Sequence, residues 1–336
     1  MYPTLVLLTC MSLPPELIHR ILNYLRHDRK SLMVASLVSK AWTSCSQAYL
    51  FESVHLKPSN LQRWLKNIPH NVDGPASHTR TLTLDDDHRL LWINPQCSDF
   101  PLSNLASFCD VRSLSLRWWN IAFLDDVSPE PYFDHFGRSL RTLSLQYCIL
   151  DPTTFLVFLS LFPNVQDLEI TSRYPHTLRL DTIPDIPKVT PSFCGTLSLV
   201  SFDSRDPILR ALVALPLHFT TISIQGCAFD EPDTYRLLLT SCLDTLATLR
   251  FEKDYRGALG SIRATRPICP KFPTPLDRLL PDVSLASCDK LEEVHALLRN
   301  PGRLSQSLIN LLSSITKASK NILNIHEHHR VGSGLG

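Results

Sequence analysis

The chain is predicted to be an α/β protein: a short N-terminal unit of three helices, then an irregular solenoid with parallel strands on its concave side and helices on its convex side. Three observations predict this. A proline-led, amphipathic helical pattern fills the first fifty residues. Beyond it a short strand motif recurs along the chain, and the segments between copies change from the two-residue period of a strand to the 3.6-residue period of a helix. The composition fits a packed protein, since 44% of the 336 residues are hydrophobic and only 19% are charged, too apolar a mix for a disordered chain.

The helical unit comes first. Pro14 and Pro15 precede a segment whose apolar residues are Leu17, Ile18, Ile21, Leu22 and Leu25. That spacing makes one wide apolar stripe, and proline suits a first helical turn. HDRK (27–30) breaks the pattern. Ser31 is placed to cap a second helix carrying Leu32, Ala35 and Val38, and Ser39 a third carrying Trp42 and Tyr49. Some forty residues bury too little surface to stand alone, so the unit needs a partner or an adjoining domain.

LPPELIHRILNYL followed by SLMVASLVSKAW resembles the F-box motif: Leu-Pro, an acidic residue, Ile and Leu at helical spacing, then Leu-Val-Ser-Lys-x-Trp. The resemblance covers residues 12–51 and is similar in style to the large fungal F-box families, in which repeats follow directly. It implies docking on the Skp-type adaptor of a cullin-RING ubiquitin ligase. The surface it implies comprises Leu13, Pro14, Glu16, Leu17, Ile21, Leu22, Leu25, Leu37, Val38 and Trp42. The bland alternative is a helical cap on the following domain.

The repeat occupies residues 52–325. LRTLSLQYCIL (140–150) fits L-x-x-L-x-L-x-x-C-x-L at every keyed position, and FTTISIQGCAF (219–229) fits the same frame with Phe and Ile substitutions. Looser copies are FESVHL (51–56), VRSLSL (111–116), VQDLEI (165–170) and LATLRF (246–251), while TLTL (81–84) and TLSL (196–199) keep the strand core. Aligned on the fourth keyed position, the copies place Val54, Leu82, Leu114, Leu143, Leu168, Leu197, Ile222 and Leu249 in one column, at intervals of 25 to 32 residues. This is the leucine-rich-repeat period, slightly long and irregular. Val294 marks a weaker ninth strand. Residues 59–68, 151–162 and 231–243 read as helices, with Ser59 and Asp151 as caps. A doubly wound sheet also alternates strand and helix, but does not usually carry L-x-L-x-x-C at such regular intervals.

Five prolines between Pro267 and Pro281 make 253–287 a long loop or edge insertion. Residues 303–323 read as an amphipathic helix closing the solenoid, and 326–336 as a flexible tail.

Most function classes are excluded by what is missing. The formal net charge is +1, from 33 Lys and Arg against 32 Asp and Glu, so no basic footprint for nucleic acid is expected. With only 10 Gly against 25 Pro, phosphate-cradling loops have few places to be. The chain carries no Walker A motif, no G-x-G-x-x-G and no G-x-S-x-G. None of the ten cysteines stands in a C-x-x-C, and no N-glycosylation sequon occurs, which favours reduced, buried thiols over a secreted disulfide scaffold. Two metal-like runs, Asp85–Asp87 and HEHHR (326–330), lack ligand spacing and read as solvated polar segments. No run approaches a membrane span; Leu5–Leu8 is too short, with no preceding basic residue, for a signal peptide, and Met11 is an alternative start.

The expectation is therefore a non-catalytic protein of the cytoplasm or nucleus, with no catalytic residue, metal or cofactor. Its partners are an adaptor, through it a cullin-RING ligase, and a protein target, but no nucleic acid or membrane. Residues between the keyed apolar positions face away from the core. There Arg117, Trp118, Gln146, Tyr147 and Arg250 combine hot-spot residue types with outward positions. The alternative is an F-box and repeat scaffold acting outside any ligase.

Overall fold

The computed structural model describes residues 13–67, 74–86, 102–119, 121, 133–172, 193–201, 207–226, 232–252, 290–298 and 322–327. Three helices lead: α1 (Pro15–Tyr24), α2 (Arg29–Ala35) and α3 (Lys40–Leu50). Among the described residues ten strands follow: β1 (Ser53–Leu56), β2 (Thr81–Asp85), β3 (Ser113–Arg117), β4 (Thr142–Gln146), β5 (Asp167–Thr171), β6 (Thr196–Val200), β7 (Thr221–Gln225), β8 (Thr248–Glu252), β9 (Glu293–Leu298) and β10 (Ile322–Glu327). They form one sheet in strict chain order, every neighbouring pair parallel.

The register follows the aligned column. Val54, Leu82, Leu114, Leu143, Leu168, Leu197, Ile222 and Leu249 stand opposite one another from strand to strand, and the column continues through Val294 and Leu323. From Val54 to Val294 all of these side chains are buried, and so are their i+2 partners Leu84, Leu116, Leu145, Ile170, Leu199 and Ile224. Each such strand thus adds two apolar side chains to one shared core, each worth about 1.5–3 kcal/mol on full burial. The opposite face is polar, with Thr, Ser, Asp, Glu, Arg and Gln at the alternate positions.

A strand cannot re-enter a parallel sheet without a crossover. Four crossovers contain α-helices among the described residues: Pro58–Asn67, Pro152–Ser160, Pro207–Val213 and Pro232–Ser241. Each begins with proline, whose missing N–H costs nothing in a first turn. Asp151 caps the second, accepting from Thr153 N at 3.0 Å and Thr154 N at 3.1 Å. Ser59 is not a cap: that helix starts one residue earlier, and Asn60 Oδ1 instead accepts from Lys57 N at 2.7 Å. Beneath β3 to β5 lies an aromatic cluster, with Phe158 edge-on to Phe133 at 5.3 Å and to Phe162 at 5.0 Å.

At the strand entrances one carbonyl accepts from two successive N–H groups of the next strand. Glu52, Arg80, Arg112, Arg141, Gly195, Thr220 and Ala247 all do so. Between β5 and β6 a side chain shares this role, since Asp167 Oδ1 accepts from Thr196 N at 2.7 Å. A Cβ on residue 195 would collide with that carboxylate oxygen, so a side chain there would push Asp167 off the Thr196 N–H.

The helical head has its own core, made by Ile18, Leu22, Leu32 and Ala35 with Leu25, Trp42, Cys45, Tyr49 and Leu50 packed against it. Phe51 already packs into the core of the sheet. The second helix begins two residues before the expected cap, because Asp28 holds that role, accepting from Lys30 N and Ser31 N. The hydroxyl and N–H of Ser31 hold the Asp28 carboxyl below its usual pKa. Ser39 does occupy the N-cap position of α3, without a side-chain bond. Arg26 fastens the head to the sheet, donating Nε to Glu52 Oε2 at 3.0 Å and a second N–H to Oε1 at 2.5 Å.

The C-terminal reading needs correction. Ile322 and Leu323, expected to end a helix, and His326 and Glu327, expected in a tail, belong to β10 and pair with β9. An i, i+3 apolar pattern in 303–323 masks the alternation in ILNIHE. Residues 303–321, the proline-rich 253–287, Asp87 and Cys227 lie outside the described residues.

Cys148, the keyed cysteine of β4's repeat, is buried, and its thiol donates to Leu116 O at 3.4 Å. Burial pushes its pKa up to about 12. At pH 8 this thiol is expected to resist iodoacetamide in the native protein and to react once urea unfolds the chain, as read by peptide mass spectrometry. Rapid native labelling would contradict its place in the core.

Candidate functional site

Two surfaces stand out: one on the head, one on the polar rim of the sheet. Of the twelve large apolar side chains that are exposed among the described residues, eight lie between Leu13 and Val38. They are Leu13, Leu17, Ile21 and Tyr24 from α1 and its entry, and Met33, Val34, Leu37 and Val38 from α2 and the following turn, with exposures from 40% to 84%. Exposed apolar side chains so concentrated mark an interaction surface rather than ordinary scatter.

The helical stripe of α1 is split in two. Ile18 and Leu22 turn inward on the head's core, while Leu17 and Ile21, one residue before each, turn outward. Leu22, expected on the docking surface, is 0% exposed and serves the head's own packing. Leu25 and Trp42 are half-buried against the same core, so their contribution is chiefly structural. Pro14 and Glu16 are exposed along with Leu13, Leu17, Ile21, Leu37 and Val38. Tyr24, Met33 and Val34 were missed, although Tyr24 follows Leu17 and Ile21 at i+7 and i+3 on one helical face. The turn that presents Leu37 and Val38 is fixed by Thr43, whose hydroxyl lies 2.5 Å from Ser36 O and 2.9 Å from Ser39 O.

On the sheet, Arg117 and Gln146 are opposed in register, and Trp118 and Tyr147 follow them just past the ends of β3 and β4. The two rings stack, with centroids 4.5 Å apart and planes 24° from parallel. Both residues have left-handed backbone, φ 62° and 57°, as do Ser201 and Gly226 in the corresponding place after β6 and β7. That conformation costs a bulky L-residue roughly 1–2 kcal/mol. Stacking returns about 0.5–1.5 kcal/mol, and the backbone ladder runs on through the turn, Trp118 N donating to Gln146 O and Tyr147 N to Thr171 O. Tyr147 and the nearby Ile149 remain exposed. Trp119 goes the other way: it is buried, its indole N–H donating to Leu84 O at 3.2 Å.

Four of the five residues expected on this face are thereby brought together. Arg250 is not among them. It is exposed on β8, opposite Ser223, four strands and about 19 Å from β4 at ~4.8 Å per strand. Gln146 is also less free than expected. Its amide donates to Ser144 Oγ at 3.1 Å, and Ser144 donates to Glu169 Oε2 at 3.1 Å. Asp85, expected in a solvated polar run, is instead paired at the other end of the sheet, where it meets His55 at 3.1 Å and Lys57 at 3.6 Å. Asp85 is thus consumed by side chains of the chain itself. Among the described residues no group of three or more His, Cys, Asp and Glu side chains is placed to hold a metal, and no helix is long and apolar enough to cross a membrane.

Residues 10–57 match the family model described as F-box-like, a span that contains all three helices of the head. No curated protein matches the chain.

The split of α1 makes opposite demands on neighbouring leucines. Leu22→Ala is expected to destabilise the head by about 2–5 kcal/mol through cavity formation, whereas Leu17→Ala should stay within roughly 0.5 kcal/mol of the parent. Thermal denaturation followed by circular dichroism at 222 nm checks both, and equal losses would contradict the assignment of faces.

Proposed function

We propose that the chain is the substrate-recognition subunit of a Skp-cullin-F-box type E3 ubiquitin ligase. The head docks on the Skp-type adaptor, and a leucine-rich-repeat-like solenoid holds a protein target. The observation that carries this reading is the set of eight exposed apolar side chains confined to an F-box-like head. Leu13, Pro14, Glu16, Leu17, Ile21, Leu37 and Val38 form the docking set, with Tyr24, Met33 and Val34 added to it; Leu22, Leu25 and Trp42 shape the surface from beneath.

Two features support the solenoid reading over a doubly wound sheet. The order of the described strands never reverses, so they contain no switch point of a doubly wound fold. The strands also alternate apolar and polar residues, whereas a sheet covered by helices on both faces has near-continuous apolar strands. The polar face then serves as the recognition surface, and Arg117, Trp118, Gln146 and Tyr147 form its strongest cluster, with Arg250 as a separate contact. No bond is made or broken by this chain. Its contribution is proximity: a bound target lysine is held near a charged conjugating enzyme at high effective concentration.

The test is co-purification of adaptor and cullin with the tagged full chain. Ile21→Asp should weaken adaptor binding by roughly 30-fold or more, as for loss of a hot spot worth ~2 kcal/mol, without changing the circular dichroism spectrum. Arg117→Glu with Tyr147→Ala should leave adaptor binding intact and reduce target capture. Adaptor binding that survives both Ile21→Asp and the double change Leu13→Ala, Pro14→Ala would refute the docking model. Adaptor binding without any cullin would favour a scaffold outside a ligase.

A further inference from the structure

Where the head meets the sheet there is a cavity of about 300 Å³, lined on one side by Arg26, His27 and Arg29 and on the other by Glu52, Ser53 and Thr81. From its position and charge we infer that it binds a phosphate monoester.

Glu52 is the one carboxylate in the lining, and its two oxygens are taken by Arg26. No carboxylate among the described residues pairs with Arg29 or His27. The lining side chains therefore keep a cationic excess of at least one charge, with Ser53 and Thr81 in the same lining, while the Asp28 carboxylate between His27 and Arg29 is held by Lys30 N, Ser31 N and the Ser31 hydroxyl. A guanidinium has five N–H donors. Arg26 spends two on Glu52, and Arg29 spends none within the described residues. The lining is thus rich in donors and poor in free acceptors, the opposite of what a cation or a neutral amide would need.

A phosphate monoester matches this set. It carries about −1.5 to −2 charge near neutral pH with three strong acceptor oxygens, against two oxygens and one charge for a carboxylate. The volume lies at the small end of ligand pockets, enough for a phosphate on a compact organic body. The buried Leu32 and the half-buried Tyr49 and Leu50 complete the wall.

Position gives the site its consequence. Arg26, His27 and Arg29 come from the turn between α1 and α2, whereas Ser53 and Thr81 begin β1 and β2 and are opposed in register. A ligand touching both sides braces the head against the sheet, at the joint that Arg26 and Glu52 already tie. This does not depend on which partner docks on the head.

The experiment uses the full chain, with binding read by isothermal titration calorimetry and by phosphorus NMR line broadening at constant ionic strength. The probes are inorganic phosphate, glucose 6-phosphate, and a five-residue phosphoserine peptide beside its unphosphorylated form. Saturable binding of glucose 6-phosphate or of the phosphopeptide is expected, with at least a tenfold loss of affinity in Arg29→Gln and in His27→Ala. Arg138→Ala, which removes an exposed charge elsewhere, should have no effect. The glucose 6-phosphate arm identifies a free metabolite as the source of the phosphate, and the phosphopeptide arm alone a modified side chain of a partner. Absence of saturable binding in every arm overturns the proposal, and so does binding that is unchanged in both pocket variants while circular dichroism shows them folded.

Discussion

Everything in this molecule depends on the chain returning to the same sheet in the same register. Each described strand from β2 to β7 places two aliphatic side chains beside those of its predecessor, and no strand has enough apolar surface to be stable by itself. The stacking of neighbours supplies the stability, as in any array whose units contact only their nearest neighbours. A shift by one residue would exchange Leu143 and Leu145 for Thr142, Ser144 and Gln146. The backbone enforces the alignment at both ends. At the entrances a shared carbonyl receives two N–H groups, and at the exits the ladder continues into left-handed turns.

From this constraint the two surfaces acquire different characters. The polar face is held by its own side chains, through pairs such as Gln146 with Ser144 and Gln225 with Ser223, and it is preorganised by the sheet beneath. The head has no such support. Its small core faces only one side of α1, and the other side leaves Leu17 and Ile21 in water. Such a unit gains by being covered, whereas the strand face is already complete without a ligand. Left-handed backbone recurs at the strand exits, at Trp118, Tyr147 and Ser201 among the described non-glycine residues, and at the first two the rings stack.

Much of the sheet was legible because its signal is repeated. The alignment on Leu143 placed eight residues in one column, and the observed register pairs those same residues. Even the left-handed turn left a trace, since Gly226 stands in LSLQY's frame where Tyr147 does. Features with a single instance were harder to read. The apolar positions of α1 looked like one stripe because residues i and i+1 lie only 100° apart on a helix, and only a view of both cores divides them. The cap of α2 was misplaced because Asp28 sits in a charged run that masks the helix start. β10 was missed because ILNIHE follows a stretch with helical spacing. The pairs that cross strands, such as Ser144 with Glu169 and His55 with Asp85, and the cavity at the joint, involve residues far apart in sequence and left no periodic signal.

The exposed apolar side chains of the head and the polar face of the sheet are separate surfaces, and the proposed function assigns a different partner to each. Hydrogen–deuterium exchange of the full chain, with and without a Skp-type adaptor, tests this division most directly. Slower exchange of amides between Leu13 and Val38 is expected on adding adaptor, with the amides of β3 and β4 unchanged. Protection centred on Arg117 to Tyr147, with none in α1 and α2, would contradict it.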